Sequence, residues 1–396
     1  MIFLNALKLK FSALFIAYNM PMNRNLIVIT LFISSCIIDC EDKRYDKYEL
    51  VDAGSIKIEI DSSTSYSSGL FSVFNTDTME YLVVENEYKN SIQFYSLETL
   101  KKVHEIVIDR TGKNGVNKLR GFTVISLDSI LVYDKLTLYN VLLVDKKSKV
   151  LDRINMTSNM SSGASLMNHS SITRSPDIYY RNKIYFFVYP NIKKEKMKFE
   201  YVFDLHTKEQ RFMDNIMQPE IYSGKLWGSV HNLASRIKGP KDLFIYSWAI
   251  DPYIRVTNFT TVDTMYLAKS NYISEIKPYN GTDNYMKYFI ETPLYGSIIW
   301  DKYRKVYYRF AHSGIPYTSP DTGLPQSDEN KVTSIIILDE DFEVIGETLL
   351  QPTYKYFVRD WFLSKEGLFI SNSHFENPEI NEGYMSFSKL DLQIKK

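Results

Sequence analysis

Apolar and polar residues alternate along most of the chain after residue 40, and no apolar stripe at helical spacing is sustained there. The clearest segments are two short apolar runs joined by a polar turn: VLLVDKKSKVLDRI (141–154), YVFDLHTKEQRFMD (201–214) and IIILDEDFEVIGE (335–347). Their runs are rich in β-branched and aromatic residues, and each turn begins at an aspartate that can bond the backbone two residues further on. These segments predict β-hairpins.

The hairpins belong to a larger unit of about four strands that recurs at intervals of roughly fifty residues. Six units are predicted, at 68–110, 119–156, 174–216, 225–268, 285–350 and 357–396. Such repetition is typical of β-propeller blades. The last unit ends after three strands, and GSIKIEI (54–60) can supply the missing outer strand, so that no edge stays unpaired. We expect an all-β fold, a β-propeller of six four-stranded blades closed by an N-terminal strand. The alternative is two packed β-sandwich-like domains.

Both cysteines of the chain lie near the N-terminus, behind an apolar run. Residues 22–36 show a positive charge, then the apolar run, then small residues, which is the order of a secretory signal. The stretch Ile33-Ser34-Ser35-Cys36 resembles a bacterial lipobox, which predicts cleavage before Cys36 and a lipid on its thiol. A disulfide between Cys36 and Cys40 is the alternative, but it would close a loop too short to stabilise the fold much.

These features divide the chain into four segments. We expect residues 1–21 to be an upstream region ahead of the true start, 22–36 the lipoprotein signal peptide, 37–52 a charged tether, and 53–396 a single propeller domain. We expect an exported monomer that is anchored through Cys36 to the bacterial envelope, at the outer membrane.

Three stretches in the C-terminal half resemble a known family: GSIIWDKYRKVYYRFAHSGIP (296–316), SIIILDEDFEVIGETLL (334–350) and GLFISNSHFENPEINEGYMSFSKLDL (367–392). They are similar to domain of unknown function 4221, a family of Bacteroidetes lipoproteins that resemble six-bladed propellers. The resemblance implies a lipid anchor and a propeller. It implies no activity and no catalytic residue.

The charge balance and the motifs of the sequence limit the classes of partner and cofactor that we expect. Lys plus Arg and Asp plus Glu both number 47, so no net charge favours nucleic acid. The chain contains no Gly-x-Ser-x-Gly elbow, His-Glu-x-x-His, Walker loop or Gly-x-Gly-x-x-Gly, and its six histidines are scattered singly. The acidic run LDEDFE (338–343) lacks the glycine and the distant glutamate of a calcium loop, and an exposed hairpin tip explains it. We therefore expect neither a metal nor another cofactor.

The best candidate site follows from one long loop, residues 311–330, which is rich in Pro, Gly and Ser. Aromatic and cationic residues lie just before this loop, and others lie in FVRDWF (357–362), which opens the sixth unit. Aromatic faces next to guanidinium groups suit sugar rings and carboxylates. The candidate ligand-binding residues are Trp300, Arg309, His312, Arg359 and Trp361. In the alternative, the rings fill space between blades and the arginines pair with Asp301 and Asp360.

Two classes of function remain open. The first is a non-catalytic binding module for an envelope protein or a glycan. The second is a glycan lyase or hydrolase whose site is assembled in the propeller channel from several blades. Free carboxylates about 5 to 10 Å apart at the channel mouth would favour hydrolysis. A channel lined by apolar or mutually paired residues would favour the binding module.

Overall fold

The computed structural model describes residues 47–134, 140–156, 171–188, 199–213, 219–228 and 233–396. All of them belong to one compact unit, Asp46–Lys396. The predicted upstream region, the signal peptide, Cys36 and most of the tether lie outside the described residues. Among the described residues, no helix is long and apolar enough to cross a membrane.

The described secondary structure is dominated by short strands. In chain order the strands are β1 (Tyr48–Glu59), β2 (Phe71–Asn75), β3 (Glu80–Asn86), β4 (Ser91–Ser96), β5 (Lys101–Val107), β6 (Leu119–Ser126), β7 (Ser129–Asp134), β8 (Asn140–Val144), β9 (Val150–Asn155), β10 (Ile178–Tyr180), β11 (Lys183–Phe187), β12 (Glu200–Asp204), β13 (Gln210–Phe212), β14 (Ala234–Lys238), β15 (Phe244–Trp248), β16 (Tyr253–Thr257), β17 (Asp263–Leu267), β18 (Leu294–Asp301), β19 (Val306–His312), β20 (Thr333–Leu338), β21 (Val344–Leu349), β22 (Phe357–Ser364), β23 (Gly367–Ser371) and β24 (Tyr384–Ile394). The described helices are α1 (Tyr285–Glu291) and the 3-10 turns η1 (Glu220–Tyr222), η2 (Asp328–Asn330) and η3 (Thr353–Lys355).

The strands form six antiparallel blades. Four are separate four-stranded sheets: blade 1 (β2–β5), blade 2 (β6–β9), blade 3 (β10–β13) and blade 4 (β14–β17). The other eight strands form one sheet in the order β18-β19-β20-β21-β1-β24-β23-β22, in which β21 and β1 are joined by a single parallel pair, Tyr48 and Gly346. This sheet is therefore two blades that touch at their outer edges: blade 5 (β18–β21) and blade 6 (β22–β24 with β1).

The N-terminal strand completes blade 6, as predicted from the sequence. β1 pairs antiparallel with β24 from Tyr48 opposite Ile394 to Glu59 opposite Tyr384, with a bulge between Asp52 and Ser55. The predicted tether boundary at residue 52 is wrong, because the strand already begins at Tyr48. Only Leu50 and Ile58 of this strand are buried, as expected for the outer strand of a blade, so its sequence also looks like a linker.

The apolar core lies between consecutive blades. Six clusters of buried side chains join blades 1 and 2, 2 and 3, 3 and 4, 4 and 5, 5 and 6, and finally 6 and 1. The last cluster contains Ile58 of β1, Phe387 of blade 6 and Phe71 of blade 1. The rings of Phe71 and Phe387 meet edge to face, with their centroids 5.5 Å apart. Each fully buried ring stabilises the fold by about 2 to 3 kcal/mol. A closed ring of six interfaces confirms the propeller and excludes the two-sandwich alternative.

The hairpin turns use the aspartates that the sequence analysis singled out. Asp339 Oδ1 accepts the backbone N–H groups of Asp341 and Glu343 at 3.0 and 2.9 Å, and Asp145 and Asp204 make equivalent bonds in their turns. The acidic run at 338–343 is therefore turn chemistry. Within the described part of the chain, no group of three or more Asp, Glu, His or Cys residues is placed to hold a metal.

Candidate functional site

A cavity of about 550 Å³ lies where the first strands of the blades converge. Five blades contribute to its wall, each at or just before its first strand: residues 67–69, 172–174, 233–235, 294–297 and 356–360. The end of the long loop adds Asp328, Glu329 and Lys331. The volume falls within the usual range of about 300 to 1,000 Å³ for small-molecule sites.

Small side chains keep this space open. Ser235 is buried at the start of β14, where its Oγ donates to the carbonyl of Arg174 and accepts the N–H of Ile298 at 3.0 Å. Gly296 in β18 lies against His312, and a Cβ at that position would collide with His312 Nε2. The inner strands therefore carry small residues at these positions, and Gly296 leaves room for the His312 ring.

Four basic side chains line the cavity: Arg174, His312, Lys331 and Arg359. Lys331 is buried, and its Nζ donates to the carbonyls of Phe289 and Thr292 at 2.8 and 2.7 Å. Burial lowers the pKa of Lys331 to about 8. Desolvation and the positive charges of Lys331, Arg359 and Arg174 lower the pKa of His312 to about 3, so this ring is neutral at physiological pH.

Three carboxylates also line the cavity, and each has a partner in the protein. Arg359 contacts Asp328 at 2.6 Å and Glu329 at 3.7 Å. Asp360 is buried and accepts hydrogen bonds from the Ser67 hydroxyl at 2.6 Å and from the Ser68 N–H at 3.2 Å. Burial raises the pKa of Asp360 to about 7, more than these hydrogen bonds lower it.

The structure brings two of the five sequence-predicted site residues together, since His312 and Arg359 both line the cavity. Trp300, Arg309 and Trp361 do not line it. Trp300 packs on Tyr307 between blades 4 and 5, with ring centroids 4.5 Å apart. Trp361 lies between blades 5 and 6, and its Nε1 donates to Ser297 Oγ at 3.1 Å.

Arg309 is fully buried between blades 4 and 5. Its guanidinium lies 3.9 Å from the centre of the Tyr295 ring and donates to Ser247 Oγ and to four backbone carbonyls, those of Trp248, Asp251, Pro252 and Ala268. The role of Arg309 is therefore to join two blades. The neighbouring Arg304 pairs with Asp301 at 3.1 Å, as the structural alternative expected.

Sequence reasoning missed Arg174 and Lys331, and it considered Asp360 only as a partner for an arginine. Arg174 and Asp360 lie near the first strand of a unit, and Lys331 lies just after the long loop. In a propeller these strands surround the axis. A polar residue at or near the first strand of its unit was therefore a signal for a position in the cavity wall. This signal was more useful than the residue types around the loop.

Comparison with known proteins agrees with this architecture. A family model described as a domain of unknown function (DUF4221) matches residues 47–349. The crystal structure of a member of that family from Bacteroides vulgatus is 26% identical, covers 89% of this chain and 100% of its own, and superposes with a TM-score of 0.76. A putative exported protein from Bacteroides fragilis shares the fold at 13% identity, with 90% and 98% coverage and a TM-score of 0.54. No functionally curated protein matches the chain.

Proposed function

We propose that this chain, which belongs to the domain of unknown function 4221 family, is an exported, lipid-anchored binding module. In this proposal its central cavity binds a glycan. The similarity to a putative exported protein supports export. The lipobox-like stretch that ends at Cys36 supports the anchor. The cavity supports the binding role.

One observation carries the preference for binding over catalysis: the carboxylates that reach the cavity are held by partners in the protein. Asp328 and Glu329 contact Arg359, and Asp360 is bonded to Ser67 and Ser68. A hydrolytic site needs a pair of carboxyl groups free to face the scissile bond. The aromatic residues Phe289 and Phe357 line the same cavity, and aromatic rings suit the apolar faces of sugar rings.

A thermal-shift screen of the full-length chain in mild detergent, against neutral and acidic glycans with and without divalent cations, tests the binding role. A ligand at 100 times its dissociation constant stabilises the fold by about 2.7 kcal/mol, which raises the melting temperature by several degrees. We expect Arg174→Gln, in the cavity wall, to reduce the shift and the exposed outer-strand substitution Arg211→Gln to leave it unchanged. If no glycan changes the melting temperature, the binding proposal is wrong.

The anchor has its own test. Cells supplied with a fatty-acid analogue should label the wild-type chain and should fail to label Cys36→Ala, because that thiol is the proposed acceptor. Equal labelling of both proteins would contradict the lipid anchor.

A glycan hydrolase is the second candidate, and Asp360 favours it. Because burial raises its pKa to about 7, this carboxyl holds its proton near neutral pH, which is the state that a general acid needs. Release of reducing sugar from any member of the glycan panel, lost in Asp360→Asn, would establish hydrolysis.

A further inference from the structure

Arg174 lies in the cavity wall just before blade 3, and the described residues supply no hydrogen bond or ion pair to its guanidinium. Its Nε is buried without an acceptor. The side chain as a whole is partly exposed and only Nε is shielded from water, so a ligand could bond to this guanidinium without displacing a partner in the described residues. The backbone carbonyl of Arg174, in contrast, accepts the Ser235 hydroxyl, so the start of blade 3 is held to blade 4 while the side chain faces the cavity.

Lys331 adds a second positive charge with a donor to spare. Its ammonium group has three N–H donors, and two of them serve the carbonyls of Phe289 and Thr292. Those bonds fix the position of Nζ in a buried site. Although burial lowers its pKa to about 8, the group stays largely protonated at neutral pH.

The charges around these two cations do not cancel them. Asp328 and Glu329 are engaged by Arg359, and Asp360 is engaged by Ser67 and Ser68. Arg174, Lys331 and Arg359 all lie close enough to His312 to disfavour its protonation. Arg359 offsets only one of the two charges of Asp328 and Glu329, so the cavity keeps a small positive excess, at Arg174 and Lys331, while Asp360 holds its proton below about pH 7. The attraction of this excess for an anion is stronger in a partly desolvated space than in water.

We propose that the ligand of this cavity is an acidic saccharide, whose carboxylate is bound by Arg174 with help from Lys331. This inference rests on the proposed glycan-binding function and names the class of glycan. The planar guanidinium fork matches a carboxylate with two parallel hydrogen bonds, and the fixed ammonium group supplies a third. The aromatic rings of the wall contact the sugar ring, and the volume of about 550 Å³ accommodates it.

Isothermal titration calorimetry on the full-length chain tests the proposal with matched pairs of ligands. D-glucuronate and D-galacturonate carry the carboxylate, D-glucose and D-galactose are their neutral parents, and acetate and inorganic phosphate are anions without a sugar ring. We expect each uronate to bind at least about tenfold more tightly than its neutral parent. We expect acetate and phosphate to bind more weakly than either uronate, because they lack the ring contacts.

Substitutions at Arg174 then test whether this residue binds the carboxylate. Arg174→Gln should weaken uronate binding at least about tenfold, and Arg174→Lys should restore only part of it, because lysine keeps the charge without the fork. The matched control is Arg211→Gln, the same substitution at an exposed position on β13, which should bind like the wild type. The melting temperature of each variant without ligand is measured first. Only variants that melt like the wild type are compared, so that a folding defect is not counted as lost binding.

Each other outcome overturns a distinct part of the proposal. Equal affinity for uronates and neutral sugars would refute the acidic class and leave the glycan-binding function standing. Equal affinity for uronates and acetate would show a simple anion site and refute the saccharide. Unchanged uronate binding in Arg174→Gln would refute the role of Arg174. If none of the sugars binds and the wider glycan screen is also negative, the proposed function itself fails.

Discussion

Two arginines of the propeller have opposite surroundings. Arg309, between blades 4 and 5, is fully buried, and its guanidinium is surrounded by the Ser247 hydroxyl, four carbonyls and the Tyr295 ring. Arg174, on the cavity wall, has a buried Nε without an acceptor. Tyr295 touches both regions, because its ring lies under Arg309 and also lines the cavity.

The difference separates a structural charge from a functional one. Hydrogen bonds to Arg309 compensate for the desolvation of its charge, so it stays protonated even though burial lowers its pKa to about 10. Its donors have no capacity left for a ligand. Arg174 keeps its donors, so its surroundings favour a role in binding. Burial alone would have ranked the two residues in the wrong order as ligand contacts.

The largest expected effect is on stability at Arg309. Arg309→Met keeps the length of the side chain but leaves the carbonyls around it unsatisfied in a dry interface. We expect the free energy of unfolding to fall by about 3 to 5 kcal/mol, as for other buried charges that lose one side of their network. Urea denaturation measures it. A loss below about 1 kcal/mol would mean that the network around Arg309 contributes little.

A smaller effect is expected at Asp360, as a dependence on pH. Burial raises its pKa from 3.8 to about 7, so the folded protein binds this proton more tightly than the unfolded chain does. The stabilisation is complete below about pH 4 and is lost as the pH rises through about 7. Between these limits, wild type should lose about 3 to 4 kcal/mol relative to Asp360→Asn, which retains an acceptor for Ser67 and does not titrate.

The measurement is urea denaturation of both proteins at several pH values. A constant difference between them across that range would show that Asp360 does not carry the shifted proton, and it would also remove the main support for a hydrolase.

The smallest effect is expected at Arg174. Because the described residues make no hydrogen bond to its guanidinium, Arg174→Gln should change the free energy of unfolding by less than about 0.5 kcal/mol. Urea denaturation without ligand, beside Arg309→Met, measures the contrast directly. A destabilisation as large as that of Arg309→Met would mean that both arginines are structural.

Most of the fold could be predicted because its signals are local. Alternating apolar positions mark the strands, aspartates mark turns such as the one at Asp339, and the units repeat at a regular interval. The closing strand was predicted because blade 6 lacked a partner, although its first residues, from Tyr48, were assigned to a tether. That error has a physical origin, since the outer strand of a blade is half exposed and its composition approaches that of a linker.

The candidate site was predicted only in part. His312 was predicted from the long loop and Arg359 from the start of the sixth unit, and both line the cavity. Trp300, Arg309 and Trp361 were chosen for the same residue types and instead pack between blades. Aromatic and guanidinium groups serve a blade interface and a sugar site equally well, so residue type does not separate the two.

The order of hydrophobic and polar residues was enough to specify six blades, their hairpins and the closure by β1, because each depends on neighbours in the chain or on one unpaired edge. The cavity depends on tertiary structure alone. Ser67 and Asp360 are 293 positions apart in the sequence, and their side chains meet at 2.6 Å only because the ring closes. Which charges find partners inside the protein, and which remain available for a ligand, is decided by that closure.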